Sequence, residues 1–273
     1  MSPKNYKKPD FTSREARAMA AKAFALSPKE IRPLPGDRSQ NFLIQTKSAR
    51  KYVLKIASSF DHLEELDFEN RVILKLSREL SDYHFPLPQP DIDGQEISIQ
   101  KRHNEIFYLR LFDYVEGPSL ADLQSVPLSL WSETGQMLAR IDLALKDFYH
   151  IGSKRELPWD VKNVLWSKDR LKYVSDPVKR RQLDYGLLQI ETHLLPVSTE
   201  LRRQVIYGDG NEHNFILEVK KDAYSLTGLI DFGDMSESFL GAETAIALTY
   251  ALMKVSEPEE AVKTLLAAYH KIN

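Results

Sequence analysis

The 273-residue chain contains no cysteine, so disulfides and thiolate metal sites are excluded and a reducing, cytoplasmic setting is the expectation. No apolar run approaches the length of a membrane span. The opening Met1-Ser2-Pro3-Lys4-Asn5-Tyr6-Lys7-Lys8 lacks the apolar stretch of a secretory signal. Neither sign of charge dominates: 37 Lys and Arg against 39 Asp and Glu give a formal net charge of -2. That balance argues against a broad nucleic-acid footprint. The basic run Lys168 to Arg181 is broken by Asp169 and Asp176 and reads as a solvated helix face. There is no internal repeat and no low-complexity tract. What is present, 42% apolar and 28% charged residues, is the composition of an ordinary globular protein with room for two cores.

The informative stretch is Val205 to Asp234. An apolar run ends in the polar loop Tyr207-Gly208-Asp209-Gly210-Asn211-Glu212-His213-Asn214. Two short apolar strands, Phe215 to Val219 and Ser225 to Ile230, follow around a turn at Lys220 to Tyr224, and the second runs out at Asp231-Phe232-Gly233-Asp234. A hairpin returns the end of its second strand to the start of its first. Asp209, Asn214, Asp231 and Asp234 are therefore expected to converge. Such oxygen donors suit Mg2+, which takes one or two carboxylates together with substrate phosphates. An aspartate left off the metal can orient a hydroxyl and accept its proton, and these are the parts phosphoryl transfer needs. The same residues are also common turn formers, and a hairpin merely capped by them is the competing reading.

The remainder of the chain supplies context. A helix from Thr12 or Ser13 to Leu26 is capped by its hydroxyl residue, with Glu15 in the first turn. Ile31 to Ala57 reads as strands around turns at Gly36-Asp37-Arg38-Ser39 and Lys47 to Arg50. Strand alternation puts Val53, Lys55 and Ala57 on one face. Lys55 needs a charge partner there, and Glu69, within a helix spanning Phe60 to Leu80, can supply it. Equally, Lys55 can snorkel while Glu69 stays at the surface. Pro86, Pro88 and Pro90 mark a loop. Strands at Gln95 to Arg102 and Glu105 to Tyr114 then lead into Val115-Glu116-Gly117-Pro118, either a plain linker or a hinge whose backbone can hold a nucleotide base. Helices follow at Leu128 to His150, Asp176 to Leu195, Leu240 to Lys254 and Pro258 to His270. The third is expected to turn Ala245, Ile246, Leu248, Thr249 and Leu252 inward. Residues 1–115 thus read as a mainly β lobe and 116–273 as a mainly helical one.

Tyr-Gly-Asp followed after four residues by Asn214, together with Ile230-Asp231-Phe232-Gly233-Asp234, resembles the aminoglycoside phosphotransferase and choline kinase-like superfamily. The run Gly228 to Ser236 is similar to its hydroxylysine kinase branch, as are Ser39-Gln40-Asn41-Phe42, Tyr52-Val53-Leu54-Lys55-Ile56 and Trp159-Asp160-Val161-Lys162-Asn163. The resemblance implies an α+β, bilobal protein-kinase-like fold with a small antiparallel β lobe and a larger helical lobe. It also implies a kinase that uses Mg2+ and ATP or GTP on a hydroxylated amine or amino acid. Position by position it makes Asp209 the catalytic aspartate and Asn214 and Asp231 the metal ligands. Lys55 becomes the phosphate-binding lysine with Glu69 its partner, and Ser39, Gln40 and Asn41 cover the phosphates. Asp113 and Val115 fall in the base-binding hinge, and Asp234 faces the substrate ammonium. Two departures are visible. Tyr207 stands where the superfamily usually has histidine. Further helices that usually help close the acceptor site are expected after Ala267-Ala268-Tyr269-His270, where this chain ends at Asn273. An inactive nucleotide-binding scaffold and an aminoglycoside-modifying enzyme are the alternatives, the latter with Glu237, Glu243, Glu257, Glu259 and Glu260 as its acidic side chains.

Overall fold

The computed structural model describes residues 8–221, 223–255 and 258–273; Met1 to Lys7, Asp222 and Glu257 from the sequence reading lie outside the described residues. The chain begins with helix α1 (Ser13–Phe24), whose Thr12 cap and Glu15 close a capping box. Three antiparallel strands follow, β1 (Pro28–Leu34), β2 (Gln40–Thr46) and β3 (Lys51–Ile56), then helix α2 (Leu63–Glu79). Strands β4 (Pro88–Gln89), β5 (Ser98–Arg102) and β6 (Glu105–Asp113) complete a sheet of order β1-β2-β3-β6-β4, with β5 also on β6.

Alternation along these strands sorts their side chains into two layers. Leu54 and Ile56 of β3 and Phe107, Leu109 and Leu111 of β6 join Ala16, Met19, Ala20 and Phe24 of α1 in one apolar cluster. The intervening residues face α2. Phe112 packs with Phe68, Val72, Ile73 and Leu76 in a second cluster, which continues into the C-terminal helices. Arg110, opposite Lys55 in the β3–β6 register, is carried into that layer and buried.

Helix α3 (Leu128–Leu145) forms the centre of the larger cluster through Leu130, Trp131, Met137, Leu138, Ile141 and Leu145, as its periodicity predicts. It ends short of the predicted His150, because that histidine caps a following 3-10 turn by accepting from Gly152 N at 3.1 Å. The stretch Val161–Tyr173 is also a 3-10 run, and α4 (Pro177–Gln189) passes into a π turn. Strands β7 (Arg203–Ile206), β8 (Phe215–Lys220) and β9 (Ala223–Leu229) precede β10 (Ser236–Phe239), then α5 (Leu240–Lys254) and α6 (Pro258–His270). The hairpin β8–β9 forms as the sequence predicts, and β10 pairs with β7, for which the sequence carries no local signal. No helix among the described residues is long and apolar enough to cross a membrane.

One predicted face is right only in part: Leu248 packs against the larger cluster and Ile246 is half-buried. Helix α5 buries Ala242, Glu243, Ala247 and Ala251 and leaves Ala245, Thr249 and Leu252 exposed. The helix is apolar nearly all round, so periodicity does not select its inner side. Small residues do, because they let the helix approach the loop before β8; a Cβ on Gly210 would sit 3.1 Å from that of Ala247.

Candidate active site

The two polar corners meet. The Ile230 amide donates to Asn214 O at 3.0 Å, joining the loop before β8 to the end of β9. Asn214 Nδ2 donates to Asp209 Oδ2 at 2.7 Å and to Asp209 O at 3.1 Å. Asn211 Nδ2 donates to Asp209 Oδ1 at 2.8 Å. Both carboxylate oxygens of Asp209 are thereby aimed by amides on its own loop. Gly208 turns the chain with φ of 73°, in the left-handed region that favours glycine. Asp231 adopts φ of 57° without being glycine; aspartate tolerates this better than most residues, and such strain concentrates at functional sites.

Tyr207 occupies the position where histidine was expected. It is fully buried, packs edge-on against Phe232 at 5.3 Å between ring centroids, and donates its hydroxyl to Ile230 O at 2.6 Å. Tyr207 therefore ties the two loops together. Tyr207→Phe would leave that carbonyl without this donor, and a loss of about 1–3 kcal/mol is expected in denaturant unfolding.

Beneath the loop lies a residue whose role the sequence did not disclose. Glu243 of α5, fully buried, accepts from Tyr207 N at 2.6 Å and Gly208 N at 3.2 Å. Burial raises its carboxyl above the usual range, against the pull of these amides. In the sequence Glu243 is only a glutamate near a helix start, with nothing local to link it to Tyr207 and Gly208. It is therefore not an acidic acceptor-pocket residue. Glu259 and Glu260 sit on α6 and pair with Lys263.

Lys55 reaches Asp231 Oδ1 at 3.0 Å. Its expected partner, Glu69, is instead buried and bound to Arg110 Nη2 at 2.7 Å and Arg155 Nη1 at 3.0 Å. Burial would raise the Glu69 carboxyl, but the two guanidiniums win and hold it below the usual range. Guanidinium forks satisfy a buried carboxylate better than one ammonium does. Arg155 also donates to Met235 O at 2.6 Å and Gly233 O at 2.7 Å, so Glu69 fixes the segment after Asp231 through it. Arg110 interrupts an apolar strand just as Lys55 does, and that signal could have found it; nothing local marks Arg155.

Of the residues expected over the phosphates, Ser39 and Asn41 line the cleft. Gln40 does not: adjacent strand residues point to opposite faces, and its amide exchanges bonds with Phe11 N and O at 2.8 and 2.7 Å. Asp160 of the Trp159 to Asn163 motif is buried and accepts from Ser236 at 2.9 Å and Ser238 at 2.5 Å, holding β10.

Two cavities adjoin. One, of about 620 Å3, runs from Val53 past Phe112, Asp113 and Val115 to Phe232. Asp113 accepts there from Gln89 Nε2 at 3.0 Å, and burial raises its carboxyl. The other, of about 780 Å3, holds Asp209, Asp234, Arg38, Trp159 and Tyr250. Asn41, Lys55, Glu69, His213, Asn214 and Asp231 line both and so mark their junction.

The carboxylates around this cleft are pushed in opposite directions. Lys55 is the main influence holding Asp231 below the usual carboxylate range, and the Asp231 side chain is 51% exposed. Burial lifts Asp209 to about 7, helped by Asp234 and Asp231 and resisted by its amide donors. Asp234 is also raised, by burial first. The pair Asn214 and Asp231 fits Mg2+: an ionised carboxylate and an amide oxygen, whose NH2 is turned to Asp209, are hard donors beside space for phosphates.

Residues 30–273 match the model of the phosphotransferase enzyme family APH. The chain belongs to that family. It is a phosphotransferase with a hydroxyl group as acceptor, on the bilobal protein-kinase-like fold of its members. Among relatives of this phosphotransferase, hydroxylysine kinase of Mus musculus is 26% identical over 289 residues, covering 97% of this chain and 76% of the mouse protein. Hydroxylysine kinase of Danio rerio is 24% identical over 284 residues, with 97% and 77% covered. Among solved structures, an amicoumacin kinase in complex with AMP-PNP, Ca2+ and Ami superposes with a TM-score of 0.73 at 17% identity, covering 96% of this chain and 78% of that one. A microcompartment-associated aminopropanol kinase gives 0.71 at 16% identity, with 96% and 81% covered. At these identities the structures speak for shared fold.

Proposed function

We propose that this phosphotransferase transfers the γ-phosphoryl group of ATP or GTP to a hydroxyl of an amino acid or amino alcohol of the hydroxylysine kind. The observation that carries the reading is the junction itself. Lys55, Asn214 and Asp231 stand between an apolar-walled cavity ending at Val115 and a polar cavity containing Asp209. Residues 1–115 are assigned the nucleotide and 116–273 the acceptor and the chemistry. The names of the curated relatives support a hydroxylated amino acid, and the aminopropanol kinase neighbour supports an amino alcohol.

Mechanistically, Mg2+ bound with the nucleotide would neutralise phosphate charge, and Asn214 and Asp231 are the residues that would hold it. Lys55 orients the phosphates from the floor of β3. In the apolar-walled cavity, the Asp113 and Tyr114 amides already donate to Leu87 O at 2.9 Å and Lys51 O at 3.3 Å, so Val115 is assigned the base contact. Asp209 accepts a hydrogen bond from the acceptor hydroxyl and takes its proton as that oxygen bonds to the γ-phosphorus and the bond from this phosphorus to the departing nucleoside diphosphate breaks. Its carboxyl near 7 is poised for that exchange. Asp234 offers a carboxylate to an ammonium group.

A product-detection screen of hydroxylated amino acids, amino alcohols and aminoglycosides against ATP and GTP with Mg2+ tests the acceptor class. Phosphorylated amino acids or amino alcohols are expected; product from aminoglycosides alone would replace this assignment with the antibiotic-modifying one. Lys55→Met is expected to lower kcat/KM by about 10²- to 10³-fold, the scale of losing one charge-stabilising donor, as measured with the acceptor that the screen identifies.

A further inference from the structure

Arg38 sits in the β1–β2 turn, and its side chain crosses the cleft. It pairs with the Asp234 carboxylate and donates to Gly233 O at 3.0 Å, and its guanidinium lies 4.9 Å from the centre of the Trp159 ring. These residues line the cavity that contains Asp209 but not the one that reaches Val115. The pair is therefore at the acceptor end. Both members are only partly exposed, each side chain at 24%. Trp159, in contrast, leaves 49% of its surface uncovered in the same wall.

A half-buried ion pair selects what can be inserted into it. A simple amine would take Asp234 from the guanidinium and bring no anion in exchange. A zwitterion brings both charges, so each protein group trades one partner for another. The planar fork of arginine, here placed over an indole, is suited to two parallel bonds to a carboxylate. We propose that the Arg38–Asp234 pair is a receptor for the zwitterionic head of an α-amino acid, with the substrate ammonium on Asp234 and its carboxylate on Arg38. Arg38 is then a specificity-determining residue that favours amino acids over amino alcohols. The inference rests on the reading of this cavity as the acceptor site.

The test compares 5-hydroxylysine, serine and threonine, each beside its methyl ester, in which the carboxylate charge is removed and the ammonium and hydroxyl remain. For the unaltered protein, kcat/KM with an acid is expected to exceed that with its ester by about 10- to 100-fold, the range for one charged hydrogen-bonded contact. The difference should lie mainly in KM. Arg38→Met should bring the ratio near one with nucleotide affinity retained, and Arg38→Lys should restore part of it. Equal use of acid and ester by the unaltered protein overturns the zwitterion receptor while leaving the kinase assignment standing. So does an Arg38→Met variant that keeps the ratio and loses nucleotide affinity, since Arg38 would then read phosphate. Failure of every acid and every ester to yield phosphorylated product removes the amino-acid acceptor reading and this inference together.

Discussion

Asp209→Ala is expected to slow phosphoryl transfer by about 10²- to 10⁴-fold, the range for losing a positioned general base, with nucleotide affinity nearly unchanged. Single-turnover transfer and equilibrium nucleotide binding on the same preparation separate the two effects. Undiminished transfer would discard the assigned role. The carboxyl near 7 adds a pH signature. In the ligand-free protein the basic form grows as pH rises through about 7, so kcat/KM should increase between pH 6 and 8. Stability moves the other way. The unfolded carboxyl titrates near 3.8 and the folded one near 7, so the folded chain holds the extra proton between them. This contribution is fully present below about pH 4 and is lost as pH rises through about 7. Asp209→Asn should therefore melt higher than the parent at pH 8 and about equally at pH 4. The gain is on the order of 2–4 kcal/mol, reduced by whichever of Asn211 and Asn214 loses an acceptor.

Glu69→Ala is expected to destabilise the protein by about 3–5 kcal/mol, the scale for breaking a buried ion pair from one side. Arg110 and Arg155, 2 and 8% exposed, would keep their charges without the carboxylate that joins them. Because Arg155 also holds Met235 O and Gly233 O, transfer should fall in parallel with the thermal midpoint. The carboxyl is held low in the folded state, so its contribution is present above the ordinary glutamate range and disappears on acidification. A variant as stable as the parent would show that the three-charge cluster is not structural.

The parts of this fold that the sequence disclosed are those with local periodicity. The stripe of α3, the strand alternation around Lys55 and the β8–β9 hairpin follow from spacing alone, and the hairpin suffices to bring Asp209, Asn214 and Asp231 together. Long-range pairings carry no such signature. Glu69 has an arginine 41 positions away on β6 and another 86 positions away in a turn, and choosing them over Lys55 required knowing which face of α2 meets the sheet. The uniform apolarity of helix α5 conceals its inner face, and with it the role of Glu243 as the prop of the polar loop. Strand β10, four residues with two serines, lacks an apolar pattern; its place is fixed by Asp160, 76 positions from Ser236.

The most direct test follows the labelled γ-phosphoryl group of an ATP–Mg2+ or GTP–Mg2+ complex mixed with the purified protein and 5-hydroxylysine or an amino alcohol. The account predicts label on the acceptor hydroxyl oxygen as a phosphate ester, its formation dependent on Asp209 and Asp231. Label found only in inorganic phosphate, or retained wholly in the nucleotide with every such acceptor, would contradict it.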